Sequence, residues 1–400
     1  MAQIEIRNVT TIFGPDPKAA LAKVEAGLSK QDLLETTGHT VGIRDVSLAI
    51  EQGEIFVIMG LSGSGKSTLV RHINRLIEPT SGQVLIDGED ALELDTAGLL
   101  KLRREKIAMV FQRFGLMPHR TVLENVAYGL EVRGVKLAKR HEQARAWIDR
   151  VGLQGYEDQY PAQLSGGMQQ RVGLARALAA DTEIVLMDEA FSALDPLIRS
   201  QLQDELVQLQ QATGKTIIFI THDLDEALRI GDKIAILKDG ELAQVGSPAD
   251  ILLRPADDYV RAFVRDVNRA RALTVEALMR PPELRLTSQS LDAALAEMLK
   301  AGAAYGYVIE DGRFAGVVSQ EMLSAANDAT GEPQTLAELA EDLPSVGVDQ
   351  AIEEALPLLL DLPTPLPVVD QKGRLKGVVS QQDVGAMLAR PPEDGAPAEQ

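Results

Sequence analysis

No cysteine occurs among the 400 residues, so neither a disulfide nor a thiolate metal site can form, and a reducing compartment is permitted. Aromatic residues are scarce, at 4%. No apolar run approaches the roughly 18 residues that a membrane-crossing helix needs. If the chain works at a membrane, the span is expected from another polypeptide. The first residues, MAQIEIRNVTTIFG, lack the basic and then apolar layout of a signal peptide. Positive charge is also short: 40 Lys and Arg stand against 59 Asp and Glu, a net charge of -19. That balance speaks against a broad DNA or RNA footprint, and nucleic acid is not an expected partner.

What is present is an ordinary globular composition, 45% hydrophobic and 25% charged, in a chain long enough for two or three domains. From residue 1 to about 265, short apolar runs alternate with amphipathic stretches, the rhythm of an α/β domain built on a largely parallel sheet. Residues 184–187 (IVLM) and 217–220 (IIFI) are uniformly apolar, as strands covered on both faces are. Each ends in polar residues, Asp188 and Glu189 after the first, Thr221, His222 and Asp223 after the second. Ligands of open α/β sheets bind at the carboxyl ends of strands, so these ends are candidate sites.

The stretch GLSGSGKST, residues 60–68, follows the apolar run IFVIM and precedes the helical LVRHINRL. It fits the pattern G-x-x-x-x-G-K-[ST] in the required strand and helix context. Gly60, Ser62, Gly63, Ser64, Gly65, Lys66, Ser67 and Thr68 are therefore expected to cradle phosphates, with backbone N–H groups and a helix N-terminus around the oxygens. Lys66 would reach the β and γ phosphates of ATP, and Ser67 would ligate Mg2+. Asp188 suits the second metal-holding role, and Glu189 beside it could accept a proton from an attacking water. Taken alone, an Asp-Glu pair after a strand is better explained as a helix N-cap. A second glycine-rich helix start, LSGGMQQR at residues 164–171, lies about a hundred residues on. One nucleotide has one γ-phosphate, so two such helix ends suggest that the second serves the nucleotide of another copy.

On these residues the first 265 positions resemble the ATPase subunit of ATP-binding-cassette (ABC) transporters, with LSGGMQQR matching the family's signature. The resemblance implies a P-loop NTPase fold and two copies joined head to tail, with Ser165, Gly166 and Gly167 binding the partner's ATP. It further implies that Gln112 senses Mg2+ and contacts a membrane subunit, that His222 meets the γ-phosphate, that Asp195 lies in the loop between copies, and that Glu189 is the general base. Phe13 stands where the family stacks an aromatic on adenine; otherwise it is a core aromatic. Residues 15–40 read as an insertion ahead of IRDVSLAIEQGE.

Beyond Arg265 an ungapped repeat appears at an offset of 61 residues: GRFAGVVSQ from Gly312 returns as GRLKGVVSQ from Gly373, and Thr274, Leu278 and Leu291 return as Thr335, Leu339 and Ile352. Two copies of one small unit make a pseudo-symmetric pair. Each reads as a helix, a strand (residues 307–310 and 367–370), a Gly turn, a second strand and a helix. From Val275 onward 21 acidic residues face 8 basic ones, leaving only -6 for the front of the chain. Like charge at that density would be screened as salt rises; Lys372, Arg374 and Lys376 form the one basic cluster. The expected layout is an ABC-type ATP-binding domain over 1–270, repeat units over 271–330 and 331–390, and a disordered acidic tail over 391–400.

The repeat resembles a tandem pair of CBS domains, α+β modules that bind adenosine ligands or sense the state of the cell. Family members often hold ribose through G-x-x-[ST]-x-x-D; Gly377, Ser380 and Asp383 keep this pattern, while Met322 occupies the Asp position of the first copy. A separate ATPase chain with the segment LMPHRTVLENVAYGL after Gln112, the N-terminal insertion GLSKQDLLETTGHTVGIRD and a CBS pair together resemble the ATPase subunit of glycine betaine/proline osmoprotectant importers. That resemblance implies a permease partner, a separate substrate-binding protein or domain, and a place on the cytoplasmic face of the plasma membrane. Choline or carnitine would leave this chain looking much the same. A non-transport ABC ATPase, of DNA repair or translation, usually carries a long coiled coil or two cassettes, and this chain has neither. A sensing or interaction role for the repeat alone remains compatible with all of these.

Overall fold

A computed structural model of the chain describes residues 2–112, 115–192, 194–287, 290–328, 335–362 and 364–389. The tail expected to be disordered, 391–400, lies outside the described residues. The chain divides into two compact units, Met1–Arg265 and Asp266–Gln400.

The first unit holds ten strands among its described residues: β1 (Ala2–Phe13), β2 (Thr40–Glu51), β3 (Ile55–Met59), β4 (Ser81–Ile86), β5 (Glu89–Asp90), β6 (Ile107–Val110), β7 (Ile184–Asp188), β8 (Thr216–Thr221), β9 (Lys233–Lys238) and β10 (Glu241–Gly246). They form an antiparallel sheet, β2-β1-β4-β5, and a larger sheet, β10-β9-β3-β8-β7-β6. In the larger one, β9, β3, β8, β7 and β6 are parallel. Their carboxyl ends therefore share one edge. The apolar runs of the sequence are explained by position: β3, β7 and β8 are buried at every residue. Each large aliphatic side chain so covered contributes about 1.5–3 kcal/mol. β2 faces the core on one side only, and its buried positions alternate.

Between the two sheets lies the helix Lys66–Ile73, with Leu69, Val70 and Ile73 fully buried against Ile43, Val46 and Ile50 on one side and Phe56, Ile58 and Ile220 on the other. The start of this helix is thus fixed by packing on both faces. Helices Val122–Val132, Leu137–Arg150 and Gly166–Ala179 pack on one another beside the parallel sheet. Residues 15–40, read as an insertion, form two helices, Pro17–Glu25 capped by Asp16 and Lys30–Thr37 capped by Ser29. Their Ala20, Val24 and Leu33 pack on Ile12 and Val41, so the segment has a core of its own.

The second unit contains the same small sheet twice. β11 (Arg285–Leu286), β12 (Tyr305–Glu310) and β13 (Arg313–Ser319) form the first; β14 (Val346–Gly347), β15 (Leu366–Val369) and β16 (Leu375–Val379) form the second. Arg285 pairs with Tyr307 and Val346 with Val368, both partners displaced by the repeat offset. The pairing also crosses between copies: Arg280 bridges Val378, and Glu341 bridges Val317. Tyr307, Val317, Leu375 and Val378 close one core between the two copies. The second copy's strand stops at Val369 rather than the expected 370, because the Asp370 carboxylate accepts the backbone N–H of Lys372 and Arg374 and closes the turn.

Candidate functional site

The parallel edge gathers the ends of four strands. β3 runs into residues 60–68, β7 into Asp188 and Glu189, β8 into Thr221 and His222, and β6 into Gln112.

The loop after β3 needs its glycines for space and conformation. Gly60 has φ +147°, and a Cβ there would stand 2.3 Å from the Leu237 carbonyl oxygen. Gly65 has φ +98°, and its Cβ would stand 2.5 Å from the carbonyl oxygen of Gly42. Gly65 precedes the buried helix without a side-chain cap, leaving that helix start to an outside acceptor. The buried hydroxyl of Ser64 has no hydrogen-bond partner among the described residues, as a group intended for a ligand oxygen would. Ser62 and Gly63 are exposed at the mouth, Thr68 is half-buried, and Lys66 is buried. Lys66 Nζ donates to the carbonyls of Gly60 at 2.8 Å and Leu61 at 3.0 Å. Burial pushes its ammonium below the usual lysine range, while Glu189 and Asp188 pull it back up.

Asp188 is wholly buried. It accepts the Ser67 hydroxyl at 2.9 Å and pairs with Arg71 at 3.3 Å. Glu189, one residue on, turns out of the strand at φ +50°, with its N–H on the Ile220 carbonyl. A non-glycine residue in that left-handed region costs about 1–3 kcal/mol. That carboxylate receives Gln112 Nε2 on Oε2 at 2.7 Å, and His222 Nδ1 lies 3.3 Å from Oε1.

The sequence thus brings Ser67 to Asp188, and Gln112 and His222 to Glu189; of the residues expected around the metal, Gln112 is bonded to Glu189 rather than to the Ser67–Asp188 pair. Ser165 caps the helix Gly166–Ala179 by accepting the Met168 N–H at 3.3 Å, and Gly166 beside it is exposed, with Gly167 half-buried. Among the described residues no hydrogen bond or ion pair joins 165–167 to 60–68. Asp195 caps the helix Pro196–Thr213 by accepting from Ile198 N–H at 3.1 Å. Phe13 lies at the end of β1, 42% exposed, with its ring over Gly42, where a Cβ would be 2.6 Å from Cε2.

Sequence reasoning missed three contributors. Arg71 pairs with Asp188, Gln170 donates to the Glu189 carbonyl at 3.2 Å, and Arg176 donates to the Gly115 carbonyl at 2.6 Å beyond Gln112. Gln170 lies inside LSGGMQQR and was legible by position; the two arginines carry no local signal. In the repeat, Asp383 Oδ2 accepts the Ser380 hydroxyl at 2.6 Å and stands 3.3 Å from Arg280 Nε. Arg374 and Lys376 both pair with Asp370, at 2.8 and 3.6 Å, so one carboxylate offsets one of the three positive charges of that cluster.

Among the described residues no helix is long and apolar enough to cross a membrane. Comparison with known proteins adds the following. A protein-family profile described as ABC transporter matches residues 43–192, and one described as CBS domain matches residues 336–388, the second copy of the repeat. The glycine betaine/proline betaine transport system ATP-binding protein ProV of Salmonella typhimurium is 50% identical over 386 residues, spanning 95% of this chain and 96% of that one. The glycine betaine/carnitine transport ATP-binding protein GbuA of Listeria monocytogenes is 47% identical over 392 residues, spanning 97% and 98%. A solved dimeric structure of the ATP-binding cassette MJ0796, in a post-hydrolysis state bound to ADP and Pi, is 35% identical with a TM-score of 0.54, covering 61% of this chain and 98% of that one. The strand-end geometry and the full-length likeness converge: the chain belongs to the ABC transporter family, among its ATP-binding proteins.

Proposed function

We infer that the chain hydrolyses ATP to energise import of glycine betaine and related quaternary amines, as the catalytic subunit of a transporter whose CBS pair regulates it. The observation that carries the hydrolytic reading is the Glu189 carboxylate, held by Gln112 and His222 on its two oxygens at the same strand edge as the glycine-rich loop with its buried Lys66. Glu189 is the base that takes the proton of the attacking water. Gln112 and His222 hold it in direction, and Lys66 with the helix start binds the terminal phosphates. Ser67 and Asp188 would hold Mg2+, a hard ion that takes oxygen ligands, and it would supply positive charge beside the phosphates.

Two copies act head to tail, Ser165, Gly166 and Gly167 of one meeting the ATP held by residues 60–68 of the other, with Asp195 at the seam. This is supported by the exposed, capped helix start at Ser165 and by the dimeric relative. The permease provides the membrane span, a substrate-binding protein delivers the cargo, and this chain sits peripherally on the cytoplasmic face. Phe13 stacks on adenine. The substrate class rests on the named relatives, and carnitine is the nearest second reading because the Listeria protein is named for it as well as for glycine betaine. An adenosine-type ligand at the CBS pair would use Ser380 and Asp383, whose Oδ2 already accepts from the Ser380 N–H and hydroxyl and from Arg280.

The test is uptake of labelled glycine betaine at low and high external osmolarity by the complete transporter, with the native chain or Glu189→Gln. Stimulated uptake that vanishes with Glu189→Gln is the expected result. Uptake absent with the native chain would remove the substrate assignment and leave the ATPase; normal uptake with Glu189→Gln would remove the base.

A further inference from the structure

Behind His222 lies a buried carboxyl that the hydrolytic scheme does not use. Glu226, in the helix Leu224–Ile230, is 7% exposed. Its Oε2 accepts the Thr221 hydroxyl at 2.5 Å and its Oε1 accepts Gln203 Nε2 at 2.9 Å. The Thr221 hydroxyl in turn accepts the backbone N–H of Asp223 at 2.9 Å. Both chain neighbours of His222 are therefore held through one hydroxyl, and that hydroxyl is aimed by Glu226. Gln203 is buried in the helix Pro196–Thr213, the helix that opens at Asp195. Two surface pairs follow the same seam, Arg199 with Asp223 at 3.6 Å and Arg229 with Asp204 at 2.8 Å.

Burial pushes the Glu226 carboxyl above its usual range, with Asp223 adding to the rise and Thr221, Gln203 and Arg199 opposing it. A leucine would fill the same seam without that desolvation cost. What the carboxyl adds is direction: two acceptor oxygens that fix one donor from the His222 loop and one from the Asp195 helix. We propose that Glu226 is a positioning residue for hydrolysis, locking the His222 loop to the helix that begins at Asp195, so that a displacement of Asp195 at the seam between two copies reaches His222 of the same chain. This rests on the ATPase reading above.

The test measures ATP turnover, KM for ATP and melting temperature of the complete transporter. Glu226→Leu keeps the packing and is expected to lower kcat by about tenfold or more with KM within about twofold. Glu226→Gln keeps an acceptor oxygen for the Thr221 hydroxyl and meets Gln203 once that amide turns to present its own oxygen; it is expected within about threefold of native, and Gln203→Leu lowers kcat in the same direction as Glu226→Leu. In single-turnover assays, adding Glu226→Leu to His222→Ala should cost less than about twofold further, because the two residues act in series. Native kcat in Glu226→Leu, an equal loss in the His222→Ala background, or a loss carried by KM would each overturn the proposal. If Glu226→Leu does not fold, Gln203→Leu decides, and native turnover there overturns it. A native chain without ATPase activity, or His222→Ala at the native rate, would remove the hydrolytic reading and this role with it. Native ATPase with an inert Glu226 removes this role alone.

Discussion

Gln112 Nε2 donates to Glu189 Oε2 across 2.7 Å, while His222 Nδ1 stands 3.3 Å from the other oxygen of the same carboxylate. A base fixed from both sides loses little orientation when substrate arrives. Gln112→Ala removes one of the two restraints and is expected to lower turnover by about tenfold with ATP affinity little changed. Gln112→Glu should lower it further, because a second carboxylate then stands where the amide now donates. Phosphate release under saturating ATP measures both. Gln112→Glu at the native rate would separate Gln112 from the reaction.

Lys66 is the buried cation of the phosphate loop, and its ammonium bonds two carbonyls, of Gly60 and Leu61, within 3.0 Å. A guanidinium is planar and too large for that pair, so charge alone should not rescue the site. Lys66→Arg is expected to abolish hydrolysis as fully as Lys66→Met, with ATP binding reduced in both. Titration with a fluorescent ATP analogue checks the binding half. Substantial turnover by Lys66→Arg would mean that the lysine supplies charge without position.

The loop from Gly60 to Thr68 was legible in the sequence because its chemistry is local: the glycines, the lysine and the serine act within one turn and the helix that follows. Glu189 and His222 were legible because apolar runs mark strand ends, and strand ends of a parallel sheet share an edge. Contacts joining distant segments left no such mark. Nothing in residues 66–73 announces that Arg71 meets Asp188, and nothing near Thr221 announces Gln203. The two-residue strands β11 and β14 are too short for an alternating pattern to register, and the repeat was visible while they were not. The π-helical turn Leu102–Lys106 ahead of β6 likewise has no sequence signature. Asp370 follows apolar neighbours as a strand residue would, whereas its carboxylate serves the turn.

His72 makes the stability of the first unit depend on pH. Its ring is fully buried, with Nδ1 2.9 Å from the Ile77 carbonyl and Nε2 2.7 Å from the Thr11 hydroxyl. Nδ1 donates to the carbonyl, so in the neutral ring Nε2 accepts from Thr11. Burial holds the folded ring below the ordinary value of 6.5, against the pull of the Ile77 carbonyl. With a depressed folded pKa, the unfolded chain takes up the proton first. The stabilisation is then complete above 6.5 and is lost as the pH falls from that value through the folded pKa. Melting followed between about pH 5 and about pH 7.5 should show a midpoint that drops on the acid side, and His72→Gln should flatten that drop. Parallel slopes in the two proteins would assign the acid loss to other groups.

Phe13 distinguishes a binding aromatic from a structural one. Its ring covers Gly42, and the Gly42 carbonyl oxygen lies 2.5 Å from where a Cβ on Gly65 would stand, so the ring is one residue removed from the phosphate loop. Phe13 is also 42% exposed, more than a residue needed only for the core would be. Removing a stacking aromatic costs about 1–3 kcal/mol per base, which is roughly a fivefold to 150-fold loss of affinity. Phe13→Ala is expected to weaken ADP binding by that amount with the melting temperature nearly unchanged, and Phe13→Trp to preserve binding. Because every base offers a π face, the loss should be similar for GDP. A fall in melting temperature with intact nucleotide affinity would make Phe13 part of the packing around β1 and β2, and nucleotide affinity would then come from contacts other than stacking on Phe13.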